Sequence, residues 1–318
     1  MKLEITLSLL LLLTMQIVFG QKSELFSKDN SELIDDDLLS ITVDTNGNKW
    51  IGTSKFGLVK LSNGKFENLN KENSEIKGDY ISPIFIDSKG NVWISFSKPT
   101  DGIAKFDGKK WTNYTETDLN TSEVSVISIV EDTKGNIYFG GVNGVFKFDG
   151  EAWNKIKLPE ENIIVRAMDI SANDDIAIGH NSGLLIKKDD KWENLTEENS
   201  ELRLGTVRGV KFTSDNKLIV GYGGGFGDGG FSIIENEKWN HFNKTNSKVP
   251  DHMVRDIEIG KGGVVWMATN NGLIRMDGKE IAPILFREGM YKNVILDIEI
   301  DDTTIWIATN FGLIKIEE

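Results

Sequence analysis

Apolar and polar residues alternate along this chain in short bursts, and the bursts repeat. From Asp44 to Lys60 the sequence reads DTNGNKWIGTSKFGLVK. Copies follow as DSKGNVWIS from Asp87, DTKGNIYFGGVNGVFKF from Asp132, VVWMATNNGLIRM from Val264 and TIWIATNFGLIKI from Thr304. Alternation broken by Gly, Asn and Asp predicts short half-buried strands and not helices. A glycine followed by Leu, Ile, Val or Phe opens the third strand of each copy, at Gly57, Gly102, Gly144, Gly183, Gly230, Gly272 and Gly312. Two places after the aromatic position of the second strand stands a small residue: Gly52, Ser95, Gly140, Gly179, Gly221, Ala268 or Ala308. A column restricted to small residues is what close approach of neighbouring backbones requires.

Turn chemistry sets the number of strands per copy. Asn63-Gly64, Asp107-Gly108, Asp149-Gly150 and Asp277-Gly278 lie between apolar runs and predict two-residue hairpins. The DxxGN loops at Asp44, Asp87 and Asp132 join the first and second strands. Trp50, Trp93, Trp266 and Trp306 fall on second strands, and Trp111, Trp153, Trp192 and Trp239 on fourth strands, positions expected to fill the space between repeats. Seven copies of a four-stranded unit predict an all-β, seven-bladed β-propeller. The last copy, Val294–Glu318, lacks its fourth strand. Asn-Ser followed by an apolar residue two places on recurs at Asn30, Asn73, Asn199 and Asn246, and this register makes Ser23–Phe26 an outer strand. The N-terminal strand is therefore expected to complete the last blade and remove an exposed sheet edge.

The pattern DxxGNxWIGTxxGLxK, followed by W/F-x-x-L/F and NSxL, resembles the two-component regulator propeller repeat. The resemblance covers essentially all of residues 21–318. The fourth copy (Asp169–Leu185) and fifth copy (Lys211–Ile233) depart from it, with Ala177 and Ile219 at the aromatic position. The resemblance implies an extracytoplasmic ligand-sensing propeller, as in the periplasmic parts of hybrid sensor kinases, often for glycans. This sequence carries no membrane segment after the propeller, no kinase and no receiver, so any signalling is expected to run through a partner such as a membrane sensor or surface protein.

The first twenty residues differ from the rest. Lys2, the apolar run Leu7 to Leu13 and the sequence Val18-Phe19-Gly20 predict a signal peptide at residues 1–20, cut after Gly20. Residues 21–318 would then be one periplasmic or secreted propeller domain without a membrane span. An uncleaved anchor is the alternative. With no Cys, disulfides, thiol catalysis and Cys-based zinc sites are excluded. A formal net charge of −13 weighs against general nucleic-acid binding, which needs a basic face.

In a propeller, loops from the fourth to the next first strand and from the second to the third strand surround one mouth of the channel. Ligand binding is expected there. Arg166, Arg208 and Arg255 share one repeat position in the fourth, fifth and sixth copies. Three guanidinium groups side by side could hold a carboxylate or sulfate; the plainer alternative pairs them with neighbouring Asp or Glu. His180, Tyr222, Phe226, His252, Asn270 and Phe311 fall on loops of the same mouth, and amides with aromatic faces suit sugars. The segment GYGGGFGDGG contains a GxGxxG match, but a strand follows it where a nucleotide site needs a helix. A loop carrying Tyr222, Phe226 and Asp228 over the mouth is the better reading. The DxxGN loops resemble fragments of a calcium loop yet lack its distal bidentate Glu, and Asp capping a turn accounts for them. No metal, cofactor or catalytic residue is assigned. Three functions follow: a propeller sensing an oligosaccharide or other polar ligand, a protein–protein scaffold, or a metal-dependent lyase using His180 or His252.

Overall fold

The computed structural model describes residues 17–18, 21–203, 205–223, 229–287 and 293–317. It is a seven-bladed β-propeller of antiparallel sheets, six of them four-stranded. The innermost strands run Leu38–Val43, Ile81–Ile86, Val126–Glu131, Val165–Ile170, Val207–Phe212, Val254–Ile259 and Ile295–Asp301. Blades are numbered one to seven from Leu38. Gln21–Phe26 pairs with the strand Gly312–Glu317, with Phe26 opposite Leu313, so the N-terminal strand closes the ring as its register implies. The seventh sheet gains a fifth, two-residue strand, Ile17–Val18, which pairs with Gln21 and Lys22. Positions 17 and 18 belong to the expected leader; cleavage after Gly20 would remove them and leave Gln21–Phe26 in place.

The core lies between blades. Each cluster of buried side chains joins two neighbours, as Trp93 of blade two does with Phe139 and Phe146 of blade three. Second-strand tryptophans Trp50, Trp93, Trp266 and Trp306 are buried in these seams. The small column has the reason anticipated: a Cβ on Gly52 would lie 2.2 Å from the Ile81 carbonyl oxygen of the next blade.

The recurring polar motifs turn out to be loop frames. Asp44 accepts the backbone N–H groups of Asn46 and Asn48, the Asn48 side-chain amide and the Trp50 indole N–H at 3.0 Å. Asp87 does the same for Trp93 at 2.9 Å, and Asp132 accepts the Tyr138 hydroxyl at 3.1 Å. Burial opposes ionisation of Asp44, but the bonds from Asn48 and Trp50 outweigh it and hold the carboxyl below its ordinary range. In the Asn-Ser motifs the Asn carbonyl caps the backbone three residues back, and the Ser hydroxyl donates four residues back, as in Asn73 to Asn70 and Ser74 to Asn70. The apolar residue that follows, Leu33, Ile76, Leu202 or Val249, is buried.

Three hairpins differ from expectation; in one, Asp277 pairs with Glu280, so the two-residue turn is Gly278-Lys279. Asn63-Gly64 is a two-residue turn with both φ positive. The turns at Asp107 and Asp149 run to four residues. Each Asp carboxylate takes two N–H groups, those of Lys109 and Lys110 or of Glu151 and Ala152, and this local bonding beats the tighter turn. Two-residue turns with positive φ also form without glycine, at Asp189-Asp190 and Asn236-Glu237.

Candidate functional site

The seven inner strands enclose a central channel of about 880 Å³. Each carries a β-bulge near its start, where pairing with the second strand skips one residue, or, in blade two, Ser82 and Pro83. In blades four, five and six the skipped residue is Arg166, Arg208 or Arg255; in blades one, three and seven it is Leu39, Ile127 or Leu296. A bulge turns its extra side chain away from the ladder, and all six of these residues line the channel. The three arginines are half-buried at the mouth.

Arg208 stands between the other two. Burial first, then the charges of Arg166 and Arg255, lowers its pKa. Its stem lies against the backbone of Gly223, where an added Cβ would come within 2.0 Å of the Arg208 Cδ. The Nε atoms of Arg166 and Arg208 are buried without a hydrogen-bond partner. Arg255 donates from Nε to the Asn270 side chain at 2.8 Å, so two expected site residues meet in one contact. No ion pair involves any of the three among the described residues. The carboxylate nearest in effect is Asp251, whose charge opposes the lowering of the Arg255 pKa by burial.

The other candidates separate into two groups. Phe311 sits on the mouth face with the guanidinium of Arg287 4.0 Å above its ring centroid. His252 lies on the same face, and its backbone carbonyl accepts the Gly230 N–H. His180 and Tyr222, in contrast, are fully buried. Both occupy the second-strand position held elsewhere by Thr53, Thr269 and Thr309. The Thr53 hydroxyl accepts the Phe56 N–H; His180 does the same job, its Nδ1 accepting the Ser182 N–H at 3.3 Å. Burial lowers the His180 pKa. Tyr222 packs among Leu184 and Ile186 of blade four. Its hydroxyl bonds Ser232 at 2.6 Å, and Ser232 bonds His241 Nδ1 at 2.7 Å. Phe226 and Asp228 lie outside the described residues.

A belt of charge below the mouth escaped the sequence reading. Asp169, Lys211, Glu258 and Glu299 occupy one register position on blades four to seven, three residues after the bulge. Asp256 and Asp297 directly follow the bulge in blades six and seven. Lys211 donates to Glu258 at 2.8 Å. Several carboxylates also stitch blades together: Asp256 accepts the Ile298 N–H at 2.9 Å, Asp297 the Ile41 N–H at 2.7 Å, and Asp169 the Phe212 N–H at 2.6 Å. Asp256 and Asp297 hydrogen-bond each other, and burial, then neighbouring negative charge, raises both pKa values. Burial, with Glu258 second, pushes Glu299 up to about 8. The signal was available: VRDIEI and ILDIEI each set an Asp and a Glu on either side of a buried Ile, in strands that line the channel. Among the described residues no group of three or more His, Cys, Asp or Glu is arranged to hold a metal ion. No described helix is long and apolar enough to cross a membrane.

No protein-family profile and no curated protein matches this sequence. Solved structures do. Virginiamycin B lyase from Staphylococcus aureus superposes with a TM-score of 0.75 at 17% identity, covering 94% of this chain and 99% of that one. The extracellular domain of a putative hybrid two component system from B. thetaiotaomicron gives a TM-score of 0.74 at 18% identity. There the match covers 92% of this chain but 41% of that one. YCF48 bound to D1 peptide gives 0.67 at 15% identity, over 93% and 96% of the two chains. At such identities the likeness establishes the propeller fold. Proteins that share it include a lyase, a sensor's extracellular domain and a peptide-bound propeller, so function rests on the site.

Proposed function

We propose that this chain is an exported recognition propeller that holds the anionic group of a polar ligand at its channel mouth and acts through a partner protein. The observation that carries the reading is the arc of Arg166, Arg208 and Arg255 on adjacent blades, with two Nε donors unpartnered. In a protein of formal net charge −13, no carboxylate among the described residues forms an ion pair with the arc, and Asp251 acts on Arg255 only through its nearby charge. Buried donors without acceptors are costly, and a ligand carboxylate or sulfate would supply both acceptors and charge. Arg255 is already oriented by Asn270. Similarity in fold to an extracellular sensor domain agrees with this reading, as does the repeat pattern of two-component regulator propellers. For the lyase alternative, the His180 ring is buried and engaged with Ser182, which leaves His252 as its candidate base.

The test is a thermal-shift panel on residues 21–318 with uronate-bearing, sulfated and neutral oligosaccharides. A ligand at a hundredfold over its dissociation constant adds about 2.7 kcal/mol of stability. Anionic members should raise the melting temperature, neutral analogues should not, and Arg208→Ala should abolish the rise. Equal shifts from neutral and anionic sugars, or shifts that survive Arg208→Ala, would place recognition elsewhere.

A further inference from the structure

Five large apolar side chains stand exposed among the described residues: Ile34, Phe56, Tyr80, Val142 and Leu285, from 37% to 47% accessible. Single exposed apolar residues scattered over a surface are ordinary. These are not scattered. Ile34, Tyr80 and Leu285 lie in loops that enter first strands, and Phe56 and Val142 in loops between second and third strands. All five therefore stand on the mouth face, and none of the described residues on the opposite face joins them. They also keep to one arc: Leu285 enters blade seven, Ile34 and Phe56 belong to blade one, Tyr80 enters blade two and Val142 belongs to blade three. The arginines fill the remaining arc, over blades four to six. The bulge ring divides in the same way, with Leu39, Ile127 and Leu296 on the apolar side. Backbone bonds fix the frame of the apolar arc: Gly312 donates to the Asp36 carbonyl, Ser54 to that of Asp37 and Gly57 to that of Asp79.

We propose that the mouth face docks an acidic, apolar segment of a partner protein, laid across the channel with its carboxylates on the arginines and its large apolar side chains on the opposite arc. The proposal rests on the reading of the arginine arc as an anion site. Charge decides the sign of the partner: three half-buried arginines stand on adjacent blades, and the Nε donors of Arg166 and Arg208 are buried without an acceptor. Chemistry decides its class. Three of the five apolar groups are aliphatic; they offer a sugar neither an aromatic face nor a hydrogen bond, whereas they suit Leu, Phe or Met side chains. Shape excludes a flat lipid surface as the first choice, because the arginines are recessed and half-buried while the apolar groups project.

The test is selection of a random dodecapeptide phage library on the wild-type protein, followed by fluorescence anisotropy with the enriched peptides. Enriched sequences should combine Asp or Glu with large apolar residues. Affinity should fall at least about tenfold in Arg208→Ala and in Phe56→Ser/Tyr80→Ser, with both variants melting within a few degrees of wild type. The Glu-to-Gln form of each peptide should weaken alike. Failure to enrich any peptide, or equal binding to both variants, overturns the proposal. If acidic oligosaccharides still bind in an Arg208-dependent way, the anion reading survives and only its protein partner is lost; if they do not, both fall. Binding of phosphatidylglycerol vesicles that needs both arcs, with no peptide selected, would give the face to a membrane surface instead.

Discussion

Trp266 shows how closely the repeat can be read at single residues. Its indole N–H is buried without an acceptor. In blades one and two the equivalent N–H is taken by Asp44 or Asp87. In blade six that Asp is replaced by Gly260, which keeps the same turn: Gly260 donates to the Val264 carbonyl, and Gly263 donates to the Gly260 carbonyl. A Cβ on Gly260 would stand 3.4 Å from the Trp266 indole nitrogen, in ordinary contact. Gly260 has φ −87°, which any residue adopts. Gly260→Asp should therefore stabilise the protein by about 1 kcal/mol, raising the melting temperature by roughly 2 °C; calorimetry checks it. Glu299 supplies the opposite case, a buried carboxyl with too little compensation. In the fold it keeps its proton up to about 8, against an ordinary value of 4.5. The unfolded chain then releases the proton first, so this group lowers stability as pH climbs from 4.5 to about 8, by at most about 1.4 kcal/mol per pH unit. Glu299→Gln should flatten that dependence and raise the melting temperature at pH 8.5 by several degrees. A wild-type melting temperature unchanged between pH 5 and pH 8.5 would contradict the assignment.

At the scale of the strand, what could be read from the sequence follows from period. Alternation, the small column and the Asn-Ser register located the strands and even the closing one, because each expresses a backbone constraint that recurs from repeat to repeat, seven times for the small column and four for Asn-Ser. The Asp107 and Asp149 turns were misjudged because side-chain bonds within a turn leave no period to read. His180 and Tyr222 were misplaced for a related reason: they substitute for Thr at a buried loop-framing position, and a polar aromatic there looks like a site residue. The arginines were legible through their shared register, but their unpaired state depends on distances between blades. The acidic belt was legible in principle and passed over among many carboxylates. The closing strand carries its own prediction. Phe26 stacks on Trp306 at 6.2 Å and meets Phe66 edge-on at 6.0 Å, so it ties blade seven to blade one. Phe26→Ala should cost about 3 kcal/mol and leave monomer size unchanged. Starting the chain at Lys28 should expose the edge of Gly312–Glu317 and promote self-association, visible by light scattering.

At the scale of the molecule, the ring sorts charge and apolarity by sector. Blades four to six turn the bulge arginines to the channel mouth, blades seven to three carry the exposed apolar groups with Arg287 over Phe311 among them, and acidic groups line the channel beneath. The carboxylates of the belt form no ion pair with the arginines: they are committed to Lys211, to one another and to backbone N–H groups of neighbouring blades. Recognition at the mouth should weaken as salt rises from 50 to 500 mM, since half-exposed guanidinium groups are screened; a salt-independent affinity would point to the apolar arc alone. The most direct measurement is an NMR titration of arginine Nε–Hε signals, assigned with single Arg→Lys variants, using the anionic ligand that gives the largest thermal shift. The account predicts that the signals of Arg166, Arg208 and Arg255 move together and saturate with the same dissociation constant. Ligand binding that leaves all three signals in place would contradict it.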